Sequence, residues 1–364
     1  MSSPKDIEKL IRPGIKAMPP YVPIEPTDVL SRRLGISDKD VIKLDGNENP
    51  YGCSPRVKRA LAGYSSYHIY PDPEQRELRK ELEKYVGVSA KNILAGAGSD
   101  ELIDLILRLF LKPGDKVVNC PPTFGMYPFS TDVCGGKVIS VPRQADFSLD
   151  MARTVKAINR GAKAIFIASP NNPSGNATPK YEIMELLKTG SIVVVDEAYY
   201  EFSGITMVTQ VPKYANLIVL RTFSKWAGLA GLRVGYGIFP KKIVDYLMKI
   251  KQPYNVNAAA QVAAVESLSD LAYLQGTIKA IIKERERLWE KLAQFSWLKV
   301  YPSQSNFILC RVLRGNAAGI QKELRQQGIF IRYFNTSQLQ DCLRISVGKP
   351  EHTDKLIAAL KRKR

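Results

Sequence analysis

Six short apolar runs constrain the fold of this chain more than any other feature: KVVNC (116–120), KVISV (137–141), KAIFIA (163–168), SIVVVD (191–196), NLIVLRTF (216–223) and RVGYGIF (233–239). Several are apolar throughout and do not alternate with polar residues. Strands buried on both faces read this way, as in a mainly parallel sheet covered by helices. Turn residues separate the runs, and stretches of helical period lie between some of them, near 150–160 and 179–189. Strands that alternate with helices predict an α/β layout.

The flanking regions differ. Residues 1–44 carry Pro13, Pro19, Pro20, Pro23 and Pro26 and read as an extended arm with a short helix. From about 76 to 111 the pattern is helical. ELRKELEKYVG ends at Gly87, a good helix stop, and SDELIDLILRLFL runs into Lys112-Pro113-Gly114. After about 257 a long helical region (258–294) precedes NFILCRV (306–312), GIFIRYF (328–334) and CLRISVG (342–348), which reads as a smaller α+β unit. A length of 364 residues suits two domains. The expected division is an arm over 1–44 packed on the small domain and the site, a large domain over 45–257 and a small domain over 258–364.

Charge and cysteine content narrow the function classes. The chain has 53 basic and 35 acidic residues, a net +18. The basic residues are spread along it, and removing the tail Lys361–Arg364 leaves it strongly positive. It has no zinc-finger spacing, no basic region with heptads and no aromatic RNA-binding motif, so no nucleic-acid role is expected. Cys53, Cys120, Cys134, Cys310 and Cys342 are scattered and odd in number, which argues against a disulfide framework and a zinc site and suits a reducing cytoplasm. No metal site is expected. The first residues lack an apolar signal-peptide core, and no apolar run approaches about 18 residues, so no membrane span is expected.

Ligands of open α/β sheets bind beyond the carboxyl ends of the strands. SIVVVD ends at Asp196, with Tyr199 three residues on, a pair suited to a ring nitrogen and a phenolic oxygen; a helix N-cap is the plainer reading of that Asp. KAIFIA runs into SPNNPSG (169–175), where Asn172 could bind a ligand, though the segment is also an ordinary turn. NLIVLRTF is followed by Ser224 and Lys225. A lysine after a buried strand, among small and apolar residues, is partly desolvated; its pKa falls and it becomes a plausible Schiff-base nucleophile. Thr222, Ser224 and Arg233 add an anion-binding set suited to a phosphate. GAGSDEL (96–102) is a Gly-rich turn that opens a helix, another anion cradle.

Taken in order, these segments resemble the class I and II aminotransferases of fold type I, over roughly residues 15–360. The resemblance implies a large domain with a mainly parallel seven-stranded sheet between helices, plus a smaller α+β domain. It implies pyridoxal 5'-phosphate as cofactor, held covalently by Lys225. Asp196 would pair with the ring nitrogen, Tyr199 and Asn172 would bind the phenolic oxygen, and Phe124 would stack on the ring where the family often has Tyr. The Ser99-Asp100 segment, Thr222, Ser224 and Arg233 would hold the cofactor phosphate. Tyr70 would reach that phosphate from the neighbouring subunit, which implies a homodimer.

Within the family, LDGNENPYG (44–52), YPDPE (70–74), PPTFGMY (121–127), DEAYYEF (196–202) and RTFSK (221–225) are most similar to the subfamily that acts on histidinol phosphate. That implies transamination between L-histidinol phosphate and 2-oxoglutarate, in histidine biosynthesis. Arg344 would clamp the α-carboxylate of glutamate, Arg332 would take the second acidic group, and Asn47 and Tyr21 would also bind substrate. Two departures from the pattern are Ser174 in place of Thr and the bulky Trp226 directly after the lysine. The same residues would also serve an aromatic amino-acid aminotransferase or a threonine-phosphate decarboxylase. An aminotransferase-like regulator that binds nucleic acid would need a longer segment before LDGNENP.

Overall fold

The computed structural model describes residues 6–19 and 24–362. Twelve strands form two sheets: β1 (Ile42–Leu44), β2 (Ile93–Gly96), β3 (Lys116–Asn119), β4 (Lys137–Ser140), β5 (Ala162–Ala168), β6 (Ile192–Asp196), β7 (Leu217–Thr222), β8 (Gly235–Ile238), β9 (Leu298–Val300), β10 (Phe307–Val312), β11 (Ile329–Tyr333) and β12 (Cys342–Ser346). The larger sheet has the order β2-β8-β7-β6-β5-β3-β4, the smaller β1-β11-β12-β10-β9. In the larger sheet only β8 runs antiparallel to its neighbours, β7 and β2.

The apolar runs fail to alternate because both faces of the larger sheet are covered. Ile165, Ile167, Val193, Val195, Leu217 and Val219 point into one core cluster. Their neighbours in sequence, Phe166, Val194, Ile218 and Leu220, point into the other. Each such side chain contributes roughly 1.5–3 kcal/mol by leaving water. At the sheet edge the cover stops, and Lys137 and Ser140 at the two ends of β4 are exposed.

Three segments depart from the sequence reading. The stretch read as helical from 76 to 111 is two helices, Arg76–Val86 and Ser99–Phe110, with β2 between them. Gly87, at φ 71°, stops the first helix, and the chain then enters a buried slot beside β8. The region 258–294 is likewise two helices, Ala258–Leu268 and Leu271–Ala293. The first packs on helices Pro55–Gly63 and Arg76–Val86. The proline-rich arm holds helix Thr27–Leu34 and ends in β1, which pairs in parallel with β11, Ile42 beside Ile329. No helix among the described residues is long and apolar enough to cross a membrane. All five cysteines are free thiols.

The loop after β7 lies tightly on the segment that follows β1. Gly228 sits at φ 69°, and a Cβ there would lie 2.4 Å from the carbonyl carbon and oxygen of Gly52 and 2.7 Å from the nitrogen of Cys53. These are backbone atoms and cannot swing away. Gly228→Ala is expected to cost about 2 kcal/mol or more, read as a lowered denaturant midpoint with an unchanged slope.

Candidate active site

The carboxyl ends of the large-sheet strands converge on one cavity of about 640 Å³. Ser99 and Asp100 follow β2, Phe124 follows β3, Asn172 follows β5, Asp196 ends β6 with Tyr199 just beyond, and Thr222 ends β7 with Ser224, Lys225 and Arg233 after it. Asn47, after β1, and Arg332 and Arg344, from β11 and β12, complete the wall from the smaller sheet. Thirteen of the fifteen residues singled out from the sequence thus share one cavity. Tyr70 does not line it; it is 76% exposed and stacks on Tyr254 at 4.4 Å. Tyr21 lies outside the described residues.

Lys225 is partly buried, and its Nζ donates to the carbonyl of Gly46 at 3.1 Å. Burial, reinforced by the positive charges of Arg344 and Arg233 and opposed by the carboxylates of Glu48 and Asp100, pushes its pKa down to about 8. Asp196 is shifted the opposite way. Burial pushes its carboxyl up to about 6, against the hydrogen bond from Tyr127 and that from the backbone of Ala198. The Tyr127 hydroxyl donates to Oδ2 at 2.7 Å and the Ala198 N–H to Oδ1 at 3.1 Å.

The helix Ser99–Phe110 opens directly into the cavity after Gly98, so its first N–H groups and its dipole face the space. Gly98 sits at φ 80°, and a Cβ there would lie 2.6 Å from Arg233 Nη2. Arg233 pairs with Asp100 at 2.8 Å, and the Thr222 hydroxyl donates to Ser224 Oγ at 2.9 Å. Arg233 and Asn47 are two of the non-glycine residues held at positive φ, 53° and 54°. Asn tolerates that region better than most residues, and four hydrogen bonds fix Asn47. Its N–H donates to Ser346 Oγ, its Oδ1 accepts from the same hydroxyl, its carbonyl accepts from Asn306, and its amide donates to the Tyr199 hydroxyl at 3.0 Å.

Arg332 and Arg344 are direct cross-strand partners on β11 and β12. Like charges placed opposite each other disfavour a sheet. Both guanidinium groups lie against Phe334, and Arg344 donates to Asn172 Oδ1 at 2.7 Å and to the Asp45 carbonyl. Two arginines opposed on neighbouring strands concentrate positive charge on this wall of the cavity.

Sequence reasoning missed Tyr127 and the Gly46 carbonyl. Tyr127 follows Phe124 by three residues, but the burial that makes its hydroxyl need a partner is seen only in the structure. A carbonyl leaves no mark in a sequence. Trp226 turns away from the cavity; it is buried and stacks on Tyr85 at 5.5 Å, while its carbonyl accepts from Asn49 at 2.8 Å. Its bulk fills core beneath the lysine and takes no room from a ligand. Ser174 accepts from the Asn171 amide at 2.7 Å and so braces the turn that carries Asn172.

The chain is similar to known proteins. A family model described as aminotransferase class I and II matches residues 39–360. The chain is 54% identical to a histidinol-phosphate aminotransferase of Dehalococcoides mccartyi over 324 residues, 89% of this chain and 90% of that protein. It is 50% identical to a chloroplastic histidinol-phosphate aminotransferase of Nicotiana plumbaginifolia over 357 residues, 97% of this chain and 86% of the relative. Among solved structures, the histidinol-phosphate aminotransferase of Sinorhizobium meliloti in complex with pyridoxal-5'-phosphate aligns with a TM-score of 0.85, at 28% identity, covering 97% of this chain and 96% of that one.

The raised carboxyl of Asp196 gives a stability test. A folded-state pKa of about 6 lies above the ordinary 3.8, so the folded protein holds the extra proton between those values and loses that stabilisation as pH rises through about 6. Asp196→Asn keeps the shape and removes the titration. In ligand-free protein the variant is expected to gain roughly 1–3 kcal/mol over wild type above pH 6 and nothing near pH 4, measured by unfolding across that range.

Proposed function

The chain belongs to the aminotransferase class I and II family, and from that premise we propose that it transfers an amino group between L-histidinol phosphate and 2-oxoglutarate, with pyridoxal 5'-phosphate as cofactor. What supports this is a lysine of lowered pKa that shares one cavity with the Asp196 carboxyl and the facing arginines Arg332 and Arg344. High identity to histidinol-phosphate aminotransferases over most of the chain supports the choice of substrate.

The residues present fit the cofactor. Gly98 leaves an open cradle at the helix start, where the N–H groups of Ser99 and Asp100, the hydroxyls of Thr222 and Ser224, and Arg233 would hold a phosphate. Phe124 would cover the ring, Asp196 would face its nitrogen, and Asn172 and Tyr199 would face its phenolic oxygen. When bound, the ring supplies an electron sink for charge developing at the substrate Cα. A protonated ring nitrogen would draw the Asp196 carboxyl back towards its ionised form, and Tyr127 holds that carboxylate in place.

Lys225 anchors the cofactor and, once its amine is free, carries the proton to and from the substrate carbon as general base and acid. A pKa of about 8 leaves a useful fraction of that amine neutral near pH 7. Arg344, its plane set by Asn172 and the Asp45 carbonyl, would take the α-carboxylate of glutamate bidentately. Arg332 would take the second acidic group, the phosphate of histidinol phosphate or the glutamate side chain. Two substrates in turn at one site give ping-pong kinetics. Asn47 stands at the wall beside them. Tyr21 would fold over the substrate, and the exposed Tyr70 would reach the phosphate of a second copy in a homodimer. We assign residues 1–44 to the arm, 45–257 to the cofactor-binding domain and 258–364 to the small domain. The five free thiols suit a cytoplasmic setting.

A donor panel tests this. Purified protein loaded with pyridoxal phosphate and 2-oxoglutarate is expected to form glutamate from histidinol phosphate faster than from phenylalanine, and to release no carbon dioxide from threonine phosphate. Preference for either rival overturns the assignment. Lys225→Ala is expected to lose the cofactor's visible band and at least about 10³-fold in turnover. In wild-type protein freed of cofactor, the rate of capturing added pyridoxal phosphate should rise with pH through a midpoint near 8, because only the neutral amine attacks.

A further inference from the structure

We propose that Glu48 is the side chain that recognises the imidazole of the substrate, and that Lys43 cancels its charge when glutamate occupies the same cavity. Resting on the function proposed above, this assigns specificity to a pair that none of the foregoing roles uses.

The cavity wall carries three carboxylates, Asp100, Asp196 and Glu48. Asp100 is answered by Arg233, and Asp196 is fixed by Tyr127 and the backbone of Ala198. Glu48 is different. Its side chain is half exposed at the cavity, and its Oε2 accepts from Lys43 Nζ at 2.9 Å. Lys43 is more deeply set and lies 3.4 Å from Asp45 Oδ1 as well, so it keeps an acidic neighbour when Glu48 turns towards a ligand. The pair packs over Gly46, whose carbonyl accepts from Lys225. A Cβ on that glycine would lie 3.1 Å from Glu48 Cδ and 3.1 Å from Lys43 Nζ. The Glu48 carboxylate therefore stands on the wall two residues from Gly46, the acceptor of the reacting amine.

Both substrates must use one cavity, and their side chains have opposite demands. The phosphate and carboxylate ends are anions and suit Arg332 and Arg344. An imidazole is a hydrogen-bond donor and gains a positive charge near pH 6.5, so it calls for an anionic acceptor. Glutamate brings a second carboxylate, which a bare Glu48 would repel. With Lys43 on Glu48 that carboxylate's charge is offset, and glutamate meets less repulsion than a bare Glu48 would offer. Thr336 and Gln338, also on the wall, are uncharged and can serve neither demand as strongly.

The test separates the half-reactions. Single-turnover rates are measured on the cofactor-loaded enzyme with L-histidinol phosphate, with its phenyl analogue 2-amino-3-phenylpropyl phosphate, and with L-glutamate. Glu48→Gln is expected to lower kcat/KM for histidinol phosphate about tenfold or more relative to the phenyl analogue and glutamate, which share only the change that the lost charge makes at Lys225. Lys43→Ala is expected to lower kcat/KM for glutamate about tenfold and spare histidinol phosphate. The less affected substrate in each case reports that the variant is folded. Equal losses on all three substrates, or no loss on any, overturn the proposal. Wild-type enzyme that turns over glutamate but not histidinol phosphate overturns the function proposed above, and this inference with it. Wild-type enzyme active on both, with discrimination unchanged in Glu48→Gln, overturns the inference alone.

Discussion

The structure depends on keeping one amine out of water while leaving it reachable. Lys225 would hold its proton more firmly at the surface; burial and the charges of Arg344 and Arg233 loosen it. Such a position is unfavourable for the free fold, and the surroundings over-determine it. β7 brings the chain there, the stacked Trp226 and Tyr85 fill the volume beneath, and the Gly46 carbonyl receives the ammonium group. Asn49 ties the Trp226 carbonyl to the same segment. Asn47, two residues earlier, bonds to Tyr199 on the large-sheet side and to Ser346 and Asn306 on the other. A few residues of the first loop therefore fix the lysine against both sheets at once.

The site carries electrostatic disadvantage in several places. Asp196 is a carboxyl that burial makes reluctant to ionise, and Arg332 and Arg344 face each other across a strand pair. Groups with perturbed protonation gather where chemistry is done, because a ligand of complementary charge relieves each of them. In the proposed function a cationic ring nitrogen would answer Asp196, and an anionic substrate the arginines. The free protein is less stable than a neutral packing of the same cavity would be, and binding recovers the difference.

Much of this could be read from residues alone, and the exceptions have physical causes. β3 and β5–β8 stood out because two covering layers leave little polar residue inside them. β2 did not, because its four residues, Ile-Leu-Ala-Gly, merge into the glycine-rich turn that follows. β1 is three residues at the end of a proline-rich arm, and what makes it a strand is a partner near the opposite end of the chain. Asp196 and Lys225 were legible because polar groups after apolar runs must serve some purpose, whereas Arg344, in the middle of β12, stood out only through the family resemblance. Tyr127 was not, since its partner lies across the sheet. The weight given to Trp226 in the sequence was misplaced: adjacency to the lysine says nothing about which way a side chain on a turn will point.

The pairing of β1 with β11 has a consequence for how the protein is made. Strands β2 to β8 come from residues 93–238 without interruption, and the larger sheet can assemble while the rest of the chain is still being synthesised. The smaller sheet cannot. Its first strand leaves the ribosome before any other, then waits unpaired until residues 329–333 emerge. Contacts of such long separation form slowly, so the half of the site that holds Arg332 and Arg344 is completed last, after the lysine's own sheet has been laid down.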